Sequence, residues 1–223
     1  RASPHRRRHR RRLRGRRALL TSMVGFISRK RRPRRVGGEG SIRVFCADEQ
    51  SLVDVDIDRW RKLAEGVLVA EGVRGAAELS LLFVDEEAIA GLNSVHMGKT
   101  GPTDVLAFPI DAVVFDEGPG PGRATRGPDR PAPDADDQPL LLGDVVVCPA
   151  VAVRQAPDHA GNTVDEMALL VVHGVLHVLG YDHAEEAERT TMQTRETTLL
   201  ESLHWGGPAP AGFRIDQPEE GSC

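Results

Sequence analysis

The run "HGVLHVLGYDH", residues 173–183, places three histidines, two glycines and an aspartate in eleven positions. It closes a long apolar segment that begins at Thr163. Apolar residues recur there at the spacing of one helix face, namely Met167, Leu170, Val171, Gly174, Val175 and Val178. The pattern predicts a helix from Thr163 to Leu179, so the histidines lie at the end of a core helix.

The three histidines have the spacing of metal ligands. His173 and His177 are four residues apart, so a helix projects both from one face, about one turn apart. Gly180 is placed to end the helix and let the chain reverse, which brings His183 back toward the other two. Three neutral imidazoles leave a position open for water or substrate, as in catalytic zinc sites. Zinc is the expected ion, although imidazole also suits copper, nickel and iron.

Two neighbouring positions allow alternatives. Asp182 either orients one histidine through a hydrogen bond or caps the helix that follows. The spacing also matches that of metzincin proteases, which carry a general-base glutamate directly after the first histidine. Gly174 occupies that position, so a metallopeptidase is a weaker interpretation.

The rest of the chain predicts an α/β (α+β) fold, with a small mixed sheet packed against helices in a single zinc-binding domain. Strand-like runs lie at 41–45, 77–84, 103–110 and 141–149. Helical patterns begin after Asp56 and Asp85, at Pro149, at Thr163 and near Ala184, the last running to Leu203.

Charge divides the chain into parts. Residues 1–35 hold 16 of the 29 Lys and Arg and no Asp or Glu, which leaves 13 basic and 33 acidic residues from 36 onward. We interpret 1–40 as a basic, disordered leader and linker; a nucleic-acid-binding arm and a transit-like segment are the alternatives. The domain is predicted over 41–204, with a disordered Gly/Pro-rich insertion at 115–139 and a C-terminal tail at 205–223.

The cysteines and the hydropathy indicate the compartment. Cys46, Cys148 and Cys223 lack the spacing of a disulfide framework or a thiolate metal site, which favours a reducing, cytoplasmic location. No stretch approaches about 20 uninterrupted apolar residues, so no membrane span or membrane partner is expected.

Four ordered motifs resemble the YbeY family of bacterial ribosomal RNA maturation factors, which are regarded as metal-dependent endoribonucleases. They are "LNSVHMGKTGPTDVLAFP" at 92–109, "LGDVVVCP" at 142–149, "HGVLHVLGYDH" at 173–183, and Met192 with Glu196 in the last helix. Together they cover roughly 41–204. The resemblance implies an α/β fold with one Zn²⁺ on His173, His177 and His183 and a cleft leading to the metal.

The resemblance also bears on residues around the metal. Many members carry an RNA-contacting arginine where this chain has Met97, and Lys99 or His96 is a candidate to take its place as a contact to phosphate. Asp104 and Asp144, each expected at a strand boundary, are candidates to position a water molecule or a neighbouring loop; local backbone hydrogen bonding is the alternative role.

The function implied is a zinc-dependent, single-strand-directed endoribonuclease that matures ribosomal RNA, near the 3′ end of the small-subunit RNA. Its partners would be precursor ribosomal RNA, the small ribosomal subunit and an Era-like GTPase. The acidic body, with few aromatic residues and no basic stripe, keeps a second hypothesis open. In that hypothesis the protein is a ribosome-assembly factor with a structural zinc ion and no essential nuclease activity.

Overall fold

The computed structural model describes residues 41–110 and 139–215. The strands are β1 (Ile42–Asp48), β2 (Ala77–Phe83), β3 (Val105–Pro109) and β4 (Leu140–Val147). The helices are α1 (Ile57–Ala70), α2 (Glu86–His96), α3 (Pro149–Gln155), α4 (Thr163–Val178) and α5 (Glu186–Leu200), and a π-helical turn (Glu201–Trp205) follows α5. The predicted α/β class is confirmed.

The four strands form one mixed sheet in the order β1-β2-β4-β3. β1, β2 and β4 run parallel, and β3 pairs antiparallel with β4 at one edge. The connection from β1 through α1 to β2 is a β-α-β unit, the usual way to join parallel neighbours. The mixed sheet expected from the sequence is therefore present.

α4 is the central helix of the domain. It is buried on nearly every side, and it packs against α1, α5, β3 and β4. A methyl group added at Gly174 would lie 2.5 Å from Val145 Cγ1 and 3.2 Å from Val105 Cγ2. A side chain at position 174, including a glutamate, would therefore collide with the sheet unless its neighbours moved.

The opposite face of the sheet is covered near β3 by α2. His96, at the end of α2, packs edge-on against Phe108 with ring centroids 5.0 Å apart. Because strand side chains alternate between faces, Asp144 projects to the side opposite Val145 and hence away from α4. Asp144 lies within β4, opposite Ser80 on β2 and Phe108 on β3, so its expected place at a strand boundary is wrong.

Helix caps account for several element boundaries. Asp56 accepts a hydrogen bond from the Arg59 backbone N–H and caps α1, as predicted. Asp85 likewise caps α2 through the Ala88 N–H. Pro149 opens α3, where its missing N–H costs nothing.

The C-terminal elements fold back onto α4. Asp165, in the first turn of α4, accepts hydrogen bonds from His204 Nε2 at 2.8 Å and from Trp205 Nε1 at 2.9 Å. Trp205 also packs edge-on against Phe213, and both rings lie against the core. Leu203, expected on the apolar face of the last helix, remains 40% exposed, and a methyl group added at Gly66 of α1 would lie 3.3 Å from it.

The leader and linker at 1–40, positions 115–138 of the insertion and residues 216–223 of the tail lie outside the described residues. Within the described ranges, none of the helices combines the length and the apolar character that a membrane crossing requires.

Candidate metal centre

The end of α4 sets the backbone of the histidine run. The Gly180 N–H donates to His177 O and the Tyr181 N–H to Leu176 O, a pair of bonds that defines a Schellman motif. Gly180 has φ of 92°, the left-handed conformation that this motif needs at its turning residue. The chain reverses at Gly180, as the sequence predicted.

The reversal brings the three predicted histidines together. One ring nitrogen from each of His173, His177 and His183 lies within 4.8 Å of the others. The ring centroids are 4.5 Å apart for His173 and His177, 5.0 Å for His177 and His183, and 5.6 Å for His173 and His183. The first two rings are half-buried and His183 is exposed, so the cluster is accessible from the His183 side.

Hydrogen bonds on the far side of two rings determine which nitrogen faces the cluster. His173 Nδ1 lies 2.7 Å from Glu196 Oε1, and His177 Nδ1 lies 2.9 Å from the Tyr181 carbonyl oxygen. A carboxylate and a carbonyl oxygen can only accept, so both Nδ1 atoms carry the proton. In the neutral rings each Nε2 atom therefore presents a lone pair.

These lone pairs point at each other. His177 Nε2 lies 3.0 Å from His173 Nε2. Burial, together with the neighbouring His173 and His183, lowers the pKa of His177 to about 4, so this ring is neutral at physiological pH. Two lone pairs at this distance repel unless a cation lies between them. The donor set therefore fits a metal ion that prefers imidazole nitrogen.

Asp182 has neither of the roles expected for it. Its carboxylate accepts a hydrogen bond from the adjacent His183 N–H. The N-cap of α5 is Glu185, which forms a capping box with Glu188, and α5 begins at Glu186 rather than at Ala184. The carboxylate that contacts a ring of the histidine cluster is Glu196, which is buried.

A second polar network lies beside the turn. The Tyr181 hydroxyl donates to Glu71 Oε2 at 2.8 Å, and Arg195 Nε donates to the other oxygen of Glu71. Burial, followed by the Glu71 carboxylate, raises the pKa of Tyr181 to about 12, so the phenol keeps its proton. The sequence did not predict this network. One sign of it was an acidic residue at the end of α1, where the helix dipole disfavours a carboxylate that has no partner.

The remaining candidates lie at the end of α2 and in the loop between α2 and β3. Met97, His96 and Lys99 are exposed at its start. Asp104 Oδ1 accepts hydrogen bonds from the Val105 N–H at 2.8 Å and the Thr103 hydroxyl at 3.1 Å, so it shapes the entry to β3. Catalytic roles for Lys99 and Asp104 stay predictions.

An α/β domain that gathers three imidazoles at the end of a core helix has the donor set of a metal-dependent hydrolase. A family model described as Endoribonuclease YbeY matches residues 45–204. The chain therefore belongs to the YbeY family of endoribonucleases, and the resemblance seen in its motifs is confirmed.

Individual relatives agree with the family model. A protein named Endoribonuclease YbeY from Salinispora tropica is 47% identical over 153 residues, which cover 69% of this chain and 91% of the relative. A protein of the same name from Thermobifida fusca is 45% identical over 172 residues, which cover 77% of this chain and 94% of the relative. Among solved structures, TM1509 from Thermotoga maritima matches with a TM-score of 0.47 and 23% identity, over 74% of this chain and 89% of its own.

Proposed function

We propose that the protein is a zinc-dependent endoribonuclease that cleaves single-stranded segments of precursor ribosomal RNA in the cytoplasm, near the 3′ end of the small-subunit RNA. The observation that carries the proposal is the pair of Nε2 lone pairs 3.0 Å apart, with a third imidazole within reach. Membership of the endoribonuclease family supplies RNA as the substrate class.

In the proposed mechanism, His173, His177 and His183 hold the metal. Zinc bound there would polarise a phosphoryl oxygen and lower the pKa of bound water toward ~7. Glu196 and the Tyr181 carbonyl keep the first two rings in the tautomer that offers Nε2. The exposure of His183 leaves one side of the cluster accessible to a flexible RNA strand.

Two further residues have proposed roles around the substrate. Lys99, exposed in the loop after α2, would place a positive charge against phosphate two residues after Met97, which stands where the resemblance implies an RNA-contacting arginine. Asp104 would position that loop through its bonds to Val105 and Thr103. Both proposals depend on the loop lying beside the bound RNA.

The decisive experiment uses His177→Ala, purified free of contaminating nuclease. Metal content is measured beside cleavage of a labelled precursor of the small-subunit RNA 3′ end. We expect about one zinc per wild-type chain, and we expect the variant to lose both zinc and cleavage. If the variant cut as fast as the wild type, the mechanism would be wrong.

A second candidate function is a ribosome-assembly factor with a structural zinc ion, which binds the small subunit and an Era-like GTPase. Its support is the ion pairing of surface arginines: Arg43, Arg61 and Arg154 each contact a carboxylate, which weakens their attraction for phosphate. This function predicts that the protein co-sediments with immature small subunits even when cleavage is abolished. Absence from those particles would count against it.

A further inference from the structure

The three histidines differ in how firmly the surrounding structure fixes their positions. His173 and His177 project from α4, whose backbone is buried in the core. His183 lies in an exposed segment that runs from Asp182 to the start of α5 at Glu186. The position of the third ligand therefore depends on what anchors the two ends of this segment.

Tyr181 is the anchor at the N-terminal end. Its side chain is only 8% exposed, in contrast to the exposed residues that follow it. Its backbone does two things at once: the N–H completes the Schellman motif and the carbonyl accepts the His177 Nδ1 proton. Any movement of Tyr181 would therefore displace His183 and release the hydrogen bond that orients His177.

The hydroxyl of Tyr181 is fixed by two other elements. Glu71, directly after α1, accepts its hydrogen bond, and Arg195 of α5 donates to the same carboxylate. Arg195 Nη2 also donates to the Ala70 carbonyl oxygen at 3.2 Å, so it satisfies an unpaired carbonyl at the end of α1. Arg195 thereby offsets the repulsion that the helix dipole imposes on Glu71.

Two adjacent residues of α5 thus act on different parts of the histidine cluster. Glu196 bonds the His173 ring, and Arg195 reaches the Tyr181 hydroxyl through Glu71. We propose that Glu71 and Arg195 are positioning residues of the metal centre, which hold the turn carrying His183 through the hydroxyl of Tyr181. The inference rests on the proposed function in one respect, namely that the three histidines bind a metal ion.

The test measures zinc binding directly, by competition with a chromogenic chelator, in the full chain. Tyr181→Phe removes the hydroxyl and keeps the ring, while Glu71→Gln removes the charge and keeps the shape. Each is expected to weaken zinc affinity about tenfold, the lower end of the effect of residues that orient metal ligands. The double variant should bind zinc with about the affinity of the more affected single variant. The two effects should not add, because both changes break the same series of hydrogen bonds.

The matched control is Glu65→Gln, which removes a carboxylate of α1 that pairs with Arg61. A second readout is the visible absorption of the Co²⁺-substituted protein, which reports ligand geometry. It should change in Tyr181→Phe and Glu71→Gln and stay unchanged in Glu65→Gln. Cooperative thermal unfolding of the metal-free chains establishes that each variant is folded. If Tyr181→Phe or Glu71→Gln does not fold, Arg195→Lys is measured in its place.

The outcomes separate the two proposals. Wild-type affinity and an unchanged Co²⁺ spectrum in folded Tyr181→Phe and Glu71→Gln would overturn the positioning role while leaving the metal centre intact. An equal loss of affinity in Glu65→Gln would also overturn it, because the effect would then reflect general stability. A wild-type chain that binds no zinc would overturn the proposed function itself.

Discussion

His173 Nδ1 and Glu196 Oε1 are 2.7 Å apart, and this contact joins the first histidine of the cluster to a buried carboxylate of α5. A carboxylate bonded to the far nitrogen of a ligating imidazole fixes its tautomer and raises its basicity. The candidate metal centre thus involves two helices, although its three histidines come from α4 and the turn after it.

The first prediction concerns this carboxylate. Glu196→Gln keeps an acceptor oxygen but removes the charge, and we expect zinc affinity to fall about 10-fold to 100-fold. Chelator competition measures the change. Glu186→Gln, an exposed change at the start of the same helix, is the control and should leave affinity unaltered. Equal affinities for wild type and Glu196→Gln would mean that the contact does not tune the ligand.

The second prediction concerns metal removal. An ion that binds only the folded state at 100 times its dissociation constant stabilises the protein by about 2.7 kcal/mol. Adding a chelator to the zinc-loaded protein should therefore lower the Tm by about 5–10 °C. In His177→Ala the chelator should have no effect. If the chelator left the wild-type Tm unchanged, this would argue against a metal at the histidines.

The third prediction tests the close approach of α4 to the sheet. In Gly174→Ala the new methyl group meets Val145 at 2.5 Å, and overpacking of this kind costs about 1–3 kcal/mol. Denaturant unfolding measures the loss, and adding Val145→Ala should recover part of it. Gly91→Ala is the control: that helical glycine of α2 has open space around it, so alanine should stabilise by up to about 1 kcal/mol.

The fourth prediction concerns the pH dependence of stability. Burial opposes ionisation of Asp165, but hydrogen bonds from Trp205, His204 and Asn162 outweigh it and lower its pKa below 3.8. A lowered folded-state pKa adds stability above the unfolded value of about 3.9, and this stability is lost as the pH falls through the folded value. Asp165→Asn should cost about 2 kcal/mol near neutrality.

The measurement is urea unfolding of wild type and Asp165→Asn from pH 7 down to pH 3. The gap between the two free energies of unfolding should shrink as the pH falls below about 4. A gap that does not change with pH would show that the charge of Asp165 is not what stabilises the contact with the C-terminal turn.

The fifth prediction concerns Lys99. If its charge contacts phosphate near the reacting bond, Lys99→Ala should slow RNA cleavage about tenfold, the effect of losing about 1.4 kcal/mol, with zinc content unchanged. Lys62→Ala, an exposed change on α1, should cleave at the wild-type rate. Identical rates for the two variants would remove Lys99 from the catalytic apparatus.

The sequence predicted the parts of the site that depend on local geometry. The spacing of His173 and His177 follows from the helical repeat, and the return of His183 follows from the conformation that glycine favours at position 180. These relationships span eleven residues, and all can be judged without knowing the rest of the fold.

The carboxylates that orient these side chains could not be predicted from local geometry, because they lie far along the chain from the residues that they contact. Glu196 is 23 positions from His173, and Glu71 is 110 positions from Tyr181. Asp144 was misplaced for a related reason. It lies inside β4 and not at its boundary, because its neighbours in the sheet, Ser80 on β2 and Phe108 on β3, come from distant parts of the chain.

The division of the ligands between a rigid helix and an exposed turn has a kinetic consequence. If the cluster binds an ion as proposed, His183 is its exposed ligand, so a chelator would approach from that side, and release of that one imidazole would leave the ion held by the two histidines of α4. Exchange of the metal can then proceed stepwise while the core stays folded. The lifetime of such an ion would then be set by the opening of a turn of a few residues, which is faster than the unfolding of the domain.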